Sequence, residues 1–292
     1  MSEHDIHLLA DLAYVVLALL MLLIAKVALN LLTPFEVDDE LSARDNPAFG
    51  VSLTGYYLGV VIVFLGAVYH DPSLANLEEG EQVASLFFQD LLVDGAWALG
   101  AIVLLNVARV VLDLVVLRGF STRKEIIEDR NAGVGAVEFG TYLAAGLIVA
   151  GAISGQGGGP LEILAFLALG LGSLIAFALA YQRLAGYDLL RELEADNVAA
   201  GVAYGGNLIA LGLIILRGTG GTFVSWEENL TRFGTYLVFG VLLLTIGRVV
   251  VDRAFMGGRR LRDEIAIDRN LNAGYLEGGL LLGLASVIAF AT

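Results

Sequence analysis

The chain of 292 residues contains no cysteine and only three histidines. Without cysteine, the protein cannot form disulfides, thiolate metal sites, iron–sulfur clusters or thiol nucleophiles. The sequence also has no Ser–His–Asp arrangement and no helical His–Glu zinc pattern, so it predicts no enzyme, no cofactor and no metal site. Charged residues are scarce, at 16%, whereas soluble domains carry about 25%.

Hydrophobic residues dominate instead, at 57% of the chain. They form eight mostly apolar stretches, each close to the ~20 residues that a helix needs to cross the hydrocarbon of a bilayer. A membrane β-barrel would show short segments of alternating polarity, which these runs are not. The sequence therefore predicts an all-α, polytopic membrane helical bundle in contact with lipid. The eight stretches cover residues 8–32, 48–69, 91–117, 132–153, 161–182, 198–216, 233–256 and 271–291.

The distribution of basic residues predicts the orientation. Of the 17 lysines and arginines, twelve lie in the loops after the first, third, fifth and seventh stretches, whereas the opposite loops hold Arg217 and Arg232. Because cytoplasmic loops are enriched in Lys and Arg, we expect a multi-pass protein of the cell (inner or plasma) membrane with both termini outside. The twelve are Arg44, Arg118, Arg123, Lys124, Arg130, Arg183, Arg191, Arg253, Arg259, Arg260, Arg262 and Arg269. The net charge of −14 argues against nucleic acid as a partner.

An internal repeat runs through the chain. The segment Glu125-Ile-Ile-Glu-Asp-Arg-Asn131 parallels Glu264-Ile-Ala-Ile-Asp-Arg-Asn270 at an offset of 139 residues. Aligned on asparagine, four copies read Asn-x3-Gly-x4-Gly, and each belongs to a helical hairpin. Two hairpins make a half of four helices, which predicts two parallel membrane repeats over residues 1–154 and 160–292. The copies begin at Asn46, Asn131, Asn197 and Asn270.

Helix geometry assigns a role to this repeated motif. Asparagine is a good N-cap, so each asparagine is expected to start a helix that returns from the charged loop. Positions four and nine residues later point to opposite sides of that helix, where glycines let neighbouring backbones approach closely. The predicted cap and close-packing residues are Asn46, Gly50, Asn131, Gly135, Asn197, Gly201, Asn270 and Gly274.

These features together resemble a known family. The doubled four-helix unit, with Glu-x3-Asp-Arg-Asn before a last helix that carries glycine and glutamate, is similar to the domain of unknown function 350 family. The resemblance covers essentially the whole chain and is best at residues 125–140 and 264–279. It implies a bacterial or archaeal membrane protein with the domain in tandem. The family brings no established activity.

Six of the charged residues within the apolar stretches form two predicted clusters near the predicted cytoplasmic boundary. Ionisable groups at such depth usually face the bundle interior in pairs or line a pathway. The first cluster is predicted to comprise Arg109, Asp113 and Glu138, and the second cluster Arg248, Asp252 and Glu277. If the two halves pair, the clusters should face each other near a pseudo-twofold axis.

Two functional hypotheses follow from these clusters. The first is a non-enzymatic membrane component in which the clusters fix helix register and the cytoplasmic loops dock a cytoplasmic or membrane protein partner or sense membrane state. The alternative is a small ion or proton transporter or channel that uses Glu138 and Glu277 as carriers. The residues outward of Glu277 are apolar, which favours the first hypothesis. The sequence leaves open the identity of a partner or transported ion and whether the chain forms a homo-oligomer.

Overall fold

The computed structural model describes residues 3–68, 82–116, 124–155 and 157–291 of the chain. Eight long helices account for most of these residues, and we number them in chain order. They are α1 (Glu3–Leu32), α2 (Pro47–Val68), α3 (Gln82–Val116), α4 (Ala132–Ile153), α5 (Pro160–Leu184), α6 (Val198–Thr219), α7 (Trp226–Val250) and α8 (Leu271–Ala291). Short helical segments in the loops cover Asp39–Ala43, Lys124–Glu128, Leu189–Glu194, Val251–Phe255 and Leu261–Ala266.

All eight long helices are able to cross a membrane by length and composition, with mean hydropathies of 1.6 to 2.6. The prediction of an all-α bundle with eight spans is therefore confirmed. The seventh helix begins at Trp226, earlier than the apolar stretch that predicted it. Its start is determined by a cap, because the Ser225 hydroxyl accepts a hydrogen bond from the backbone nitrogen of Glu228 at 3.2 Å.

The helices form two layers. The even helices make a row in which α2 packs on α4, α4 on α6, and α6 on α8. The odd helices lie over this row: α3 contacts α2 and α4, α5 contacts α4 and α6, and α7 contacts α6 and α8. Large apolar side chains of the odd helices point outward, such as Leu19 and Leu114, which are 56% and 71% exposed. These surfaces suit contact with lipid tails.

Glycine brings the even helices close together. A Cβ added at Gly55 of α2 would lie 2.5 Å from the Cα atom of Phe139 in α4, and Gly140 of α4 lies directly against the backbone of Gly205 in α6. No side chain fits in such gaps. The close approach allows extensive van der Waals contact, which drives helix association where lipid removes the hydrophobic driving force.

Each loop before an even helix repeats one local structure. The residue before the capping asparagine has left-handed backbone geometry in all four copies, with φ between 47° and 53°. Non-glycine residues rarely adopt this conformation, although Asp and Asn tolerate it better than most. The turn lets the asparagine side chain reach back to the new helix; Asn131 Oδ1, for example, accepts from the backbone nitrogen of Val134 at 2.9 Å. The four residues with positive φ are Asp45, Arg130, Asp196 and Arg269.

The asparagines also bind the loops behind them. Asn131 Nδ2 donates to the Glu125 carboxylate at 2.9 Å, and Asn270 Nδ2 donates to that of Glu264 at 2.7 Å. Glu264 also accepts from Arg259 at 2.7 Å. The hydrogen bond from Asn270, and to a smaller extent that from Arg259, lowers the pKa of Glu264 below its ordinary value. Two of the basic residues used to predict orientation, Arg118 and Arg123, lie outside the described residues.

Candidate functional site

The second half contains a buried ion pair between α7 and α8. Arg248 Nη1 donates to Glu277 Oε1, and the Glu277 side chain is 0% exposed. The same oxygen accepts from the hydroxyl of Tyr181 in α5 at 2.7 Å and from Asn207 Nδ2 in α6 at 3.1 Å. Arg248 Nη2 donates to the carbonyl oxygen of Ala185 at 2.9 Å. One carboxylate oxygen and one guanidinium therefore connect the last four helices of the chain.

Aromatic rings support this pair. The guanidinium carbon of Arg248 lies 5.2 Å from the centre of the Tyr181 ring, within the range of a cation–π interaction. That ring stacks on Tyr204 of α6, with centroids 5.2 Å apart. The Tyr204 hydroxyl donates to the carbonyl oxygen of Ala178 at 3.2 Å. Dense packing and added hydrogen bonds are what a desolvated ion pair requires to offset the loss of water.

Asp252 does not take part in this ion pair. Its Oδ1 accepts from the backbone nitrogen of Leu261 at 2.6 Å and so ties α7 to the loop before α8. Asp252 and Arg248 instead line one cavity of about 340 Å3, which extends from Tyr181 out to Arg260 and Arg262 in that loop. The predicted second cluster is thus a tight pair plus an aspartate that anchors the loop.

The first half has a looser arrangement. Arg109 and Asp113, one turn apart on α3, approach to 3.8 Å. Among the described residues, no ion pair within 4 Å joins Arg109 to Glu138 of α4. The Glu138 carboxylate accepts instead from the hydroxyl of Ser52 in α2, and the Tyr142 hydroxyl lies at 3.5 Å. The guanidinium carbon of Arg109 lies 5.7 Å from the centre of the Tyr142 ring.

Polar atoms of the first cluster lack partners. Arg109 Nε, Asp113 Oδ1 and Glu138 Oε1 are buried without a hydrogen bond to any described residue. All three residues line a cavity of about 150 Å3 together with Ser52 and Tyr142. Buried polar groups are normally satisfied by protein or ordered water. The cavity is large enough for several water molecules.

Three residues at these sites were not identified from the sequence: Ser52, Tyr181 and Asn207. Each is a polar side chain within an apolar helix, and that property is a signal of an interior-facing position. The role of Tyr181 could not be predicted from the repeat either. The stacking ring in the first half is Tyr142 on α4, whereas in the second half it comes from α5, so the repeat alignment does not relate the two tyrosines.

The expectation that the two clusters face each other is wrong. The first cluster lies over the groove between α2 and α4, and the second over the groove between α6 and α8. Helix α5 covers the groove between α4 and α6 that separates them. The reason is that the even helices form an extended row, whereas a ring around a common axis would have brought the clusters together.

Comparison with known proteins agrees with the repeated architecture. A family model described as Domain of Unknown Function (DUF350) matches residues 5–153 and again residues 157–292. The chain is 23% identical over 256 residues to a UPF0719 transmembrane protein from Aquifex aeolicus (strain VF5), covering 86% of this chain and 88% of that protein. No solved structure matches the chain. Because the family model covers nearly the whole sequence, the chain belongs to the DUF350 family, with two consecutive copies of its domain.

Proposed function

We propose that the protein is a non-enzymatic membrane component that docks an anionic lipid headgroup at the end where its basic loops lie. In this proposal the buried charges hold helices in place and do not conduct ions. The observation that carries the proposal is the arrangement of Arg248, which is bound to Glu277, Tyr181 and Ala185 while its cavity leads to two further arginines.

A structural role for the second cluster is supported by what surrounds it. Three different side chains, from α5, α6 and α7, donate to Glu277 Oε1, so this oxygen holds three helices against α8. Toward the opposite membrane face, the next residues on the same side of α8 are Leu281, Ala285 and Ile288, all buried and apolar. An ion that left Glu277 would therefore meet hydrocarbon side chains along the helix.

The docking role is supported by the cavity and its rim. Arg260 and Arg262 are exposed and line the mouth of the 340 Å3 cavity, while the ion-paired Arg248 lies deeper. Basic pockets between membrane helices on the cytoplasmic side are typical sites for phosphate-bearing headgroups. The predicted orientation places this end in the cytoplasm. The same loops would present the exposed arginines to the headgroup layer, although Arg262 also pairs with Asp263 at 3.1 Å.

Thermal unfolding of the purified protein tests this docking. Short-chain phosphatidylglycerol is expected to raise the unfolding temperature of the wild type, with phosphatidylcholine of the same chain length as control. Arg260→Gln and Arg262→Gln should each raise the Kd for the lipid, obtained from the thermal shift at several lipid concentrations, roughly fivefold, since an arginine near the surface contributes about 1 kcal/mol. Arg253→Gln is the matched control, because Arg253 is exposed in the same loop but does not line the cavity. Equal stabilisation of all four proteins would contradict the proposal.

A second candidate function, proton or small-cation transport, is supported by the first cluster, although Glu277 Oε2 of the second cluster is also buried without a hydrogen bond to a described residue. Its specific observation is a group of three buried atoms, on Arg109, Asp113 and Glu138, that lack a hydrogen bond to any described residue and lie at a cavity of about 150 Å3. In liposomes with a pH gradient, transport would appear as a flux that Glu138→Gln abolishes and that Ser52→Ala alters. Headgroup docking predicts no flux above that of empty liposomes. A flux that depends on Glu138 would replace the first candidate with the second.

A further inference from the structure

The row of even helices repeats the same contact three times. Four residues after each capping asparagine, a glycine faces the preceding even helix. At Gly135 of α4, an added Cβ would lie 2.6 Å from the carbonyl oxygen of Ala48 in α2. The later copies of this contact join Gly201 to the backbone of Gly133, and Gly274 to that of Ala199. Helices α4, α6 and α8 thus each present this first glycine to the even helix before them.

A second glycine, nine residues after the asparagine, faces the next even helix. Gly55 of α2 lies against the backbone of Phe139 in α4, which is eight residues beyond that helix's own asparagine. The later copies join Gly140 to Gly205 and Gly206 to Gly278. The contacts therefore have one direction along the row. We call the side of an even helix that carries the first glycine its receiving side, and the side that carries the second glycine its extending side.

A hydrogen bond at the basic-loop end repeats with the same direction. The side-chain amide of each of the first three asparagines donates to a backbone carbonyl in the loop of the next hairpin. The three bonds run from Asn46 to Ile126 at 2.8 Å, from Asn131 to Leu193 at 2.7 Å, and from Asn197 to Ile265 at 2.8 Å. Each accepting carbonyl belongs to the residue that follows the loop glutamate bound by the next asparagine. This polar link is independent of the glycines.

At the two ends of the row, the residues that would make these glycine contacts and this hydrogen bond have no partner helix in the described chain. Gly50 of α2 has no described atom within 4 Å of an added Cβ, and neither does Gly279 of α8. Asn270 donates to Glu264 in its own loop and, among the described residues, to no carbonyl of another hairpin. At the other end, the carbonyl of Leu41 corresponds to those of the three acceptors, and among the described residues no asparagine side chain donates to it.

The layer of odd helices ends in the same way. Helices α3, α5 and α7 each cover a groove between two even helices. Helix α1 contacts α2 and α3, but no even helix precedes it, and it is the least buried of the eight spans. By analogy with α3, α5 and α7, α1 would cover a groove between two even helices. Of those two helices, this chain supplies α2.

We propose that copies of this chain associate head to tail, with α8 of one copy packed against α2 of the next. The extending side of α8, with Gly279 and Gly283, would meet the receiving side of α2 at Gly50 and Thr54. Asn270 would donate to the carbonyl of Leu41, and α1 would cover the new groove. Such a heterologous interface produces a closed ring if its rotation closes and a filament if it does not.

Cysteine cross-linking in native membranes tests this interface, and the chain has no cysteine of its own. By analogy with Gly55 and Phe139, the residue that faces Gly279 is Thr54, eight residues after its asparagine. The double variant Gly279→Cys with Thr54→Cys is expected to form, on mild oxidation, a ladder of dimers and higher species. Thr54→Cys combined with Leu164→Cys, which lies on the exposed side of α5, should remain monomeric.

The single-cysteine variants test whether something other than α2 of a second copy covers the extending side of α8. A dimer from Gly279→Cys alone would show that α8 packs on its own copy, and it would overturn the proposal. So would a double variant that yields no species above the monomer, since lipid would then cover both faces. A double variant that stops at the dimer would equally contradict a repeating head-to-tail contact.

A bulky substitution provides a second measurement. Gly279 is exposed with open space around it, so Gly279→Trp should leave the unfolding temperature of the solubilised monomer unchanged. In native nanodiscs the same variant should reduce the protein to monomers by mass photometry. Gly172→Trp, at another open glycine on α5, is the matched control and should keep the assembly of the wild type. Oligomers that persist in Gly279→Trp would overturn the proposed interface.

Discussion

Arg248 donates through Nη1 to the hydroxyl of Tyr181, 2.7 Å away, and its guanidinium also lies over the ring of the same tyrosine. The Tyr181 hydroxyl in turn donates to Glu277. The tyrosine therefore contacts both members of a buried ion pair, from a helix that carries neither of them. Its first-half counterpart, Tyr142, lies under Arg109 but is 3.5 Å from the Glu138 carboxylate.

This difference predicts unequal effects of removing the two hydroxyls. Tyr181→Phe should lower the free energy of unfolding by about 1–3 kcal/mol, because it leaves buried charged groups with one partner fewer. Tyr142→Phe should lower it by less than about 1 kcal/mol, since the bond it removes is already long. Denaturation of both variants in mixed micelles measures the two values. Equal losses would show that the two halves hold their charges in the same way.

The row of even helices predicts a position-dependent effect of alanine. Gly140→Ala places a methyl group against the backbone of Gly205 and should lower the free energy of unfolding by about 1–3 kcal/mol. Gly172→Ala is the control, since a Cβ there meets nothing within 4 Å. Alanine favours helix over glycine, so this variant should be neutral or more stable by up to about 1 kcal/mol. Comparable destabilisation by both substitutions would contradict the close approach of α4 and α6.

The loop before α8 predicts a dependence of stability on pH. The hydrogen bonds from Asn270 and Arg259 lower the pKa of Glu264 in the folded protein, so its contribution is fully present above the ordinary pKa. That contribution is lost as the pH falls through the lowered value. Wild type should unfold at a higher temperature than Glu264→Gln at pH 7, and this difference in unfolding temperature should narrow as the pH falls below the ordinary pKa of glutamate. A difference that stays constant would exclude the charged form as the source of the stability.

The membrane spans and the internal repeat were predictable because each depends on short, contiguous segments of the sequence. Hydropathy over ~20 residues identifies a membrane helix, and the repeated Asn-x3-Gly-x4-Gly motif marks where four of them begin. The left-handed residue before each asparagine fits the same pattern, since aspartate occupies it at Asp45 and Asp196. Helix ends were less predictable, as at Trp226, because a capping serine and not hydropathy determines that boundary.

The order of helices in space was not predictable from these signals. A glycine shows that a helix is approached closely but does not name the neighbour, so a ring and a row were equally consistent with the motif. Which side chains contact the buried charged residues depends on whether the helices form a ring or a row. Arg248 and Glu277 were placed at one depth by sequence and meet in the structure, whereas Glu138 is bound by Ser52 from another helix. Pairing across helices depends on rotation and tilt, and these follow from packing.

A double-mutant cycle at Arg248 and Glu277 tests the central claim, which is that this buried pair holds the second half together. Arg248→Met and Glu277→Gln should each lower the free energy of unfolding by about 3–5 kcal/mol, as for buried pairs that lose one partner. Their combination should cost less than the sum by at least about 2 kcal/mol. The exposed loop pair Lys124–Asp129 is the control, with an expected coupling below about 1 kcal/mol. Strictly additive losses at Arg248 and Glu277 would contradict the account.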